Sequence, residues 1–306
     1  MEYVGLQGQI NRNNFRSVLL LIAFPLIILA GVYFVILLSE PDPSLVNEEF
    51  IMALPVAIAG VGIWFLIAYF TNTKLIMMAT KSHTLERKDN MRIYNLVENL
   101  CMSKGMQMPK VHVIESEALN AFASGINQKS YTVTLTRGII NTLTDEELEG
   151  VIAHELMHIR NKDVRLLIVS IIFVGILSFI VDIALRSVLY GGGGSRKKDK
   201  NSGGQLVLII LLVSVVAYIL SLVFKFALSQ KREYLADAGA AEMTRNPKAL
   251  ASALRKISGR ADLGNVRGDV EQLFISNESK EFFGGGSGLF ATHPPIDKRI
   301  KILEQF

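Results

Sequence analysis

Cysteine is nearly missing from this chain of 306 residues. Cys101 stands alone, which excludes an internal disulfide and fits a reducing compartment. Among apolar helix positions it reads as a small buried side chain rather than a reactive thiol. Charge is scarce too: Asp, Glu, Lys and Arg make up 20% of residues against 50% hydrophobic, and the mean hydropathy is +0.35. Such a composition excludes a wholly soluble domain and points to membrane segments carrying modest soluble portions. The net charge of +4 is mild and unevenly placed, so it is no nucleic-acid footprint and serves instead as topology information. A signal-peptide pattern is also lacking. The first apolar run is too long for a signal core and has no small-residue cleavage site, so it reads as a retained anchor.

What is present begins with four apolar stretches. Ser17–Ser39 and Phe50–Thr73 carry no charge, and each exceeds the roughly 20 residues a spanning helix needs. Leu166–Leu185 is apolar except for Asp182, and Leu206–Phe224 is uncharged, its helix expected to run on to about residue 228. The loop Glu40–Glu49 has no Lys or Arg, whereas Arg12 and Arg16 precede the first run and Lys74, Lys81, Arg87, Lys88 and Arg92 follow the second. The positive-inside rule then places both flanks in the cytosol. The expected organisation is a cytosolic segment 1–16, a transmembrane hairpin 17–73 (helices 17–39 and 50–73), and a first cytosolic part 74–164. A second membrane hairpin 165–228 (about 166–185 and 206–228) and a second cytosolic part 229–306 follow. Its Gly-rich basic loop, Gly191 to Lys200, would lie outside against the rule. Two arrangements accommodate that: the first helix dominates topology, or the second hairpin enters only part of the membrane.

In the soluble parts, Asn90–Lys104 reads as an amphipathic helix with Ile93, Leu96, Leu100 and Cys101 on one side, ended by Gly105 and Pro109. Lys110–Glu115, Ala118–Ser124 and Ser130–Thr136 read as strands, the last two joined by a turn at Gly125. Thr144 with Glu147 forms a capping box that starts a helix. Nothing before the third apolar run looks like a breaker, so one nearly continuous helix is expected from there into the membrane.

That capped helix contains His154-Glu155-Leu156-Met157-His158. Histidines at i and i+4 share a face and can bind one metal ion, and the intervening Glu reaches a water on that ion from the same side. Two surface histidines on a helix are the plain alternative. A catalytic zinc site needs a third protein ligand and an open position. Arg232-Glu233-Tyr234-Leu235-Ala236-Asp237 follows the fourth apolar run, with Glu233 and Asp237 also at i and i+4. Alone it would be an ordinary surface helix. Beside the histidine motif it suits Glu233 as third ligand and Asp237 as acceptor for a ligand histidine N–H. His158 lies roughly 12 Å of helix before Leu166, and Glu233 a similar length after Phe224, so an antiparallel hairpin would bring all three ligands level.

The segments HELMHIRNKD (His154–Asp163), EYLAD (Glu233–Asp237), THPPIDKRI (Thr292–Ile300) and LNAFASG (Leu119–Gly125) together resemble the HtpX-type integral-membrane metallopeptidases. These are gluzincins and relatives of the CAAX prenyl proteases. The resemblance covers the chain from about residue 70 to its end. It implies one zinc ion, peptide or membrane-protein substrates, and quality control at the cytosolic face of a bacterial plasma membrane. It further implies that substrate lies extended along Asn120, Ala121 and Phe122, and that His293 and Arg299 steady the oxyanion. Asn161 and Asp163 match a HIxNxD extension and are expected as helix-end contacts. The departures are the polar start, the acidic first loop and the Gly-rich basic loop.

His83 and His112 lack partners at metal spacing and read as structural or surface residues. Asp182, near the end of its run, reaches the interface, and Gly284–Gly288 reads as a linker more than a lid. The fold class expected is an α-rich α+β multi-pass membrane protein with a gluzincin-type zinc protease domain, an HExxH helix against a small sheet. The function expected is endopeptidase hydrolysis with Glu155 as base. Its rivals are an inactive scaffold, against which intact Glu155 argues, and a narrow processing protease acting on lipidated peptides. A transporter is excluded because the polar clusters lie beside the apolar runs.

Overall fold

The computed structural model describes residues 6–190, 210–212, 214–216, 218, 230–258, 260, 274–275 and 294–306. It divides into two compact units. One comprises Met1–Phe15, Thr71–Ile168 and Phe226–Phe306, the other Arg16–Phe70 and Val169–Lys225.

The second unit is helical. Helix α1 (Leu6–Ser39) and helix α2 (Val46–Thr80) supply its first half, and α6 (Asp163–Tyr190) enters it from Val169. Tyr33 of α1 meets Phe50 of α2 edge to face at 5.2 Å, and Trp64 of α2 stacks on Phe179 of α6 at 5.1 Å. Large apolar side chains such as Ile22, Leu26, Phe34, Ile58 and Phe70 are exposed along α1 and α2. In water such a surface would drive association; in hydrocarbon it needs no cover. The stretch Val46–Ile67, with mean hydropathy 2.4, is long and apolar enough to cross a membrane. Pro25–Ser39 is a shorter apolar stretch. Asp182 pairs with Arg186 one turn on at 2.8 Å, both exposed. The Gly-rich basic loop lies outside the described residues.

The first unit is built around α5 (Asp145–Arg160), whose residues from Leu148 to Met157 are almost all buried. The capping box is formed in both directions: Thr144 Oγ1 accepts from Glu147 N at 3.3 Å, and Glu147 accepts from Thr144 N at 2.9 Å. Glu147 also accepts from Ser252 (2.7 Å) and Lys256 (2.6 Å), so the start of α5 is tied to helix α8 (Pro247–Ile257). The two helices cross closely because Gly150 lacks a Cβ, which would stand 3.2 Å from the Leu250 backbone.

On its other side α5 packs against a sheet of four strands: β1 (His83–Thr84), β2 (Lys110–Ile114), β3 (Ala121–Ser124) and β4 (Thr132–Thr136), in the order β1-β2-β4-β3. β2 and β4 are parallel; β3 returns antiparallel to β4 with Ala121 opposite Leu135, and so forms an edge. Both strands are shorter than their sequence patterns. Ser116 Oγ turns the chain at Ala118, and Tyr131 N bonds Asn127 O inside the connecting turn. Gly125 allows that turn: its φ is +106°, and a Cβ there would lie 2.3 Å from Ser130 O. Helix α3 (Met91–Ser103) begins at Asn90, whose side chain accepts from Ile93 N at 3.1 Å. It buries Ile93, Val97, Leu100 and Cys101, with Leu96 only half-buried.

The expected continuous helix is interrupted. α5 stops at Arg160, and α6 starts afresh at Asp163 after Lys162 takes a left-handed φ of +59°. A lysine carries no breaker signature; the interruption accompanies the fold-back of Asp163 onto His158.

Candidate metal centre

Helix α7 (Gln230–Thr244) lies along α5. The two approach closely at Gly239, where a Cβ would stand 2.4 Å from Met157 Cε, and Ala236 and Ala240 beside it are fully buried. Those small residues are the part of the site that the charge pattern alone did not reveal. Their effect is to bring Glu233 and Asp237 within reach of the two histidines.

His154 Nε2 and His158 Nε2 face each other at 3.1 Å, and Glu233 stands 3.6 Å from the first and 3.4 Å from the second. The Nδ1 atoms point the opposite way. His154 Nδ1 meets Asp237 at 2.9 Å, and His158 Nδ1 meets Asp163 at 3.1 Å. Each carboxylate accepts from Nδ1, so a ring that gives up its second proton to a metal presents its Nε2 lone pair toward one point beside a third, anionic donor. Zinc–nitrogen bonds near 2.05 Å in a tetrahedron would separate ligand atoms by roughly 3.3 Å, which the three separations match. The donor set therefore fits a divalent metal of the zinc type. His154, His158 and Glu233 form such a cluster, their ligand atoms all within 4.8 Å of one another.

The sequence reads Asp163 as a helix-end contact. It is one, in the first turn of α6, but it also orients His158. The left-handed turn at Lys162 is what folds it back.

The electrostatics follow from burial and pairing. Burial alone would lower the His158 pKa, but Glu233 and Asp163 outweigh it and raise the imidazole to about 10. Burial opposes ionisation of Asp237, yet Arg299 and His154 hold it down at about 2. Glu155 is raised, chiefly by burial, against the pull of His154 and His158. The Ala123 backbone of β3 faces its carboxylate and favours the ionised form.

Arg299, from helix α9 (Ile296–Leu303), has no exposed surface. Its Nε and Nη2 donate to the two oxygens of Asp237 at 2.8 and 2.7 Å, and Nη1 stands 3.5 Å from Glu233. It thus sits behind His154, bidentate on the carboxylate that orients that ring. His293 lies outside the described residues, as does the Gly284–Gly288 run. Asn120, just before β3, and Ala121 and Phe122 on it are all buried, and the Ala123 backbone next along the strand faces Glu155. His112 is a buried strand residue whose pKa burial lowers to about 4, and His83 pairs with Glu115 at 3.6 Å on the surface.

Among known proteins, the family described as peptidase family M48 matches residues 87–306. A protease HtpX homolog of Bacteroides fragilis is 55% identical over 322 aligned positions that span the whole of both chains. A protease HtpX homolog of Lactobacillus helveticus is 35% identical over 98% of this chain and 99% of its own. The crystal structure of S. mikatae Ste24p is similar over 90% of this chain and 61% of that one, with 19% identity and a TM-score of 0.48.

Proposed function

The chain belongs to peptidase family M48 and is a metalloprotease, a hydrolase, and from that premise we propose a zinc-dependent endopeptidase anchored in the membrane. The observation that carries this reading is the pair of histidines whose Nδ1 atoms are each fixed by an aspartate, with Glu233 completing the donor set. A zinc ion held by His154, His158 and Glu233 would supply a Lewis acid for the scissile carbonyl and lower the pKa of water. Glu155 takes a proton from the attacking water as its oxygen bonds to the carbonyl carbon. As the C–N bond breaks, Glu155 delivers that proton to the leaving amine. Asp237 and Asp163 hold the two imidazoles in their ligating tautomer, and Arg299 holds Asp237. His293 is assigned to the oxyanion on its motif alone. Extended substrate adds to the edge of β3 along Asn120–Phe122.

We place four helices in the membrane and the site on its cytosolic side, supported by the apolar exposed faces of α1 and α2 and by the basic residues flanking them. Such a position suits cleavage of damaged or unassembled membrane proteins, with peptide and bilayer as the partners and no nucleic acid.

Detergent-solubilised full-length protein should cleave an unfolded membrane protein at scattered sites. A chelator should abolish cleavage and added zinc restore it. Cleavage indifferent to chelator would sink the reading, and a single defined bond would favour a processing protease. A second measurement addresses Asp163. Asp163→Ala should weaken zinc affinity about 10–100-fold in chelator competition, with Asp163→Asn, which keeps an acceptor, in between. Unchanged affinity in the Ala variant would make Asp163 a helix-end residue only.

A further inference from the structure

Antiparallel pairing alternates, so every second residue of β3 turns its backbone groups away from β4. Asn120 faces β4, its carbonyl accepting from Thr136 N at 3.0 Å. Ala121 and Ala123 therefore face outward, onto the side where an added strand must pair. Both outward groups of Ala121 have partners. Its N–H is taken by Asn120 Oδ1 at 2.9 Å, while the Ala123 backbone faces the Glu155 carboxylate. The Ala121 carbonyl accepts from Ile275 N at 2.9 Å.

Ile275 is held at its other end as well. Its carbonyl accepts from Arg299 Nη1 at 3.1 Å, the same nitrogen that stands 3.5 Å from Glu233. Phe274 lays its ring against Phe122 at 5.3 Å, and both Phe274 and Ile275 are buried. One residue thus donates its N–H to the edge strand and lends its carbonyl to a guanidinium beside a metal ligand. That is what a residue of an extended peptide would do there.

We infer that Ile275 occupies the substrate's own backbone position on β3, so that the enzyme rests with its groove filled by Phe274–Ile275. The inference builds on the proposed addition of substrate to this edge. An incoming peptide displaces the segment, gives an N–H to the Ala121 carbonyl in place of Ile275, and presents a carbonyl to Arg299. The apolar character of Phe274 and Ile275 marks the groove as one that takes apolar residues. A cover that merely protects a sheet edge from pairing would make the same contacts without yielding to substrate, and the two cases separate by experiment.

Zinc-loaded full-length enzyme in detergent is assayed on a quenched fluorescent peptide of apolar sequence. Ile275→Pro removes the N–H that caps Ala121. If the segment fills the groove in about nine-tenths of molecules, the variant should raise kcat/KM about tenfold, mainly through a lower KM. Ile275→Ala keeps the N–H and should change it less. A Pro variant with kcat/KM equal to or below wild type, while wild-type cleavage still depends on Glu155, overturns the inference and leaves the proposed function standing. Wild-type protein with no Glu155-dependent cleavage overturns both. Should the Pro variant not fold, amide exchange in Glu155→Gln protein decides. Saturating peptide should speed exchange at Ile275, and unchanged protection there overturns the inference.

Discussion

Glu155→Gln should lower kcat by about 10²–10⁴-fold while zinc stoichiometry and fold are retained. Glu155 is buried facing the Ala123 backbone of the edge strand, a polar neighbour that a Gln amide oxygen also suits. Shape and position therefore survive, and what is lost is the ability to take and return a proton. The measurement is kcat on a peptide substrate beside metal content by atomic absorption; an unchanged kcat would remove Glu155 from the mechanism. Stability gives an independent check in metal-free protein. Burial raises the Glu155 pKa, so its ionised form is less favourable folded than unfolded. Its contribution to stability is fully present below the unfolded pKa and is lost as pH rises through the folded one. Above the unfolded pKa the group thus costs stability, a cost that the neutral amide avoids. The variant should melt no lower than wild type, and a marked drop would mean that Glu155 is part of the scaffold.

The parts of the fold and site that were legible in the sequence are those set by local rules. The capping box, the i,i+4 histidines and the i,i+4 pair Glu233 and Asp237 need only helical geometry to acquire meaning, and each stands where its pattern placed it. What escaped was decided at a distance. Lys162 ends α5 with an ordinary residue in a left-handed conformation, because Asp163 reaches back to His158. The close approach of α7 is made at Gly239, against Met157, which a charge-based reading passes over. Val97 rather than Leu96 is buried in α3; both lie one turn from Ile93, so spacing alone does not choose between them. Ile275 pairs with a strand more than a hundred residues earlier, and no periodicity announces such a pairing.

Arg299→Leu carries the largest expected loss of stability. The guanidinium is fully enclosed and makes two bonds to Asp237, itself buried, with Glu233 close by. Removing one member of such a pair leaves a buried charge uncompensated, which costs about 3–5 kcal/mol. Asp237 gives the effect its pH dependence. Its folded pKa of about 2 lies below the unfolded value, so in wild type it stabilises above the unfolded pKa, and that contribution is lost as pH falls toward 2. Without Arg299 the same ionised carboxylate becomes a burden at neutral pH, one that protonation relieves. The gap between variant and wild type should therefore be widest near neutrality and narrow as pH drops. Asp237→Asn placed on Arg299→Leu should recover part of the loss, the non-additivity that a directly coupled pair requires. Because His154 leans on Asp237, zinc affinity should also fall about 10–100-fold. Thermal melts across pH, with zinc competition on the variants that fold, test both consequences. A deficit of equal size at every pH would show that Arg299 matters for packing and not for the charge it holds.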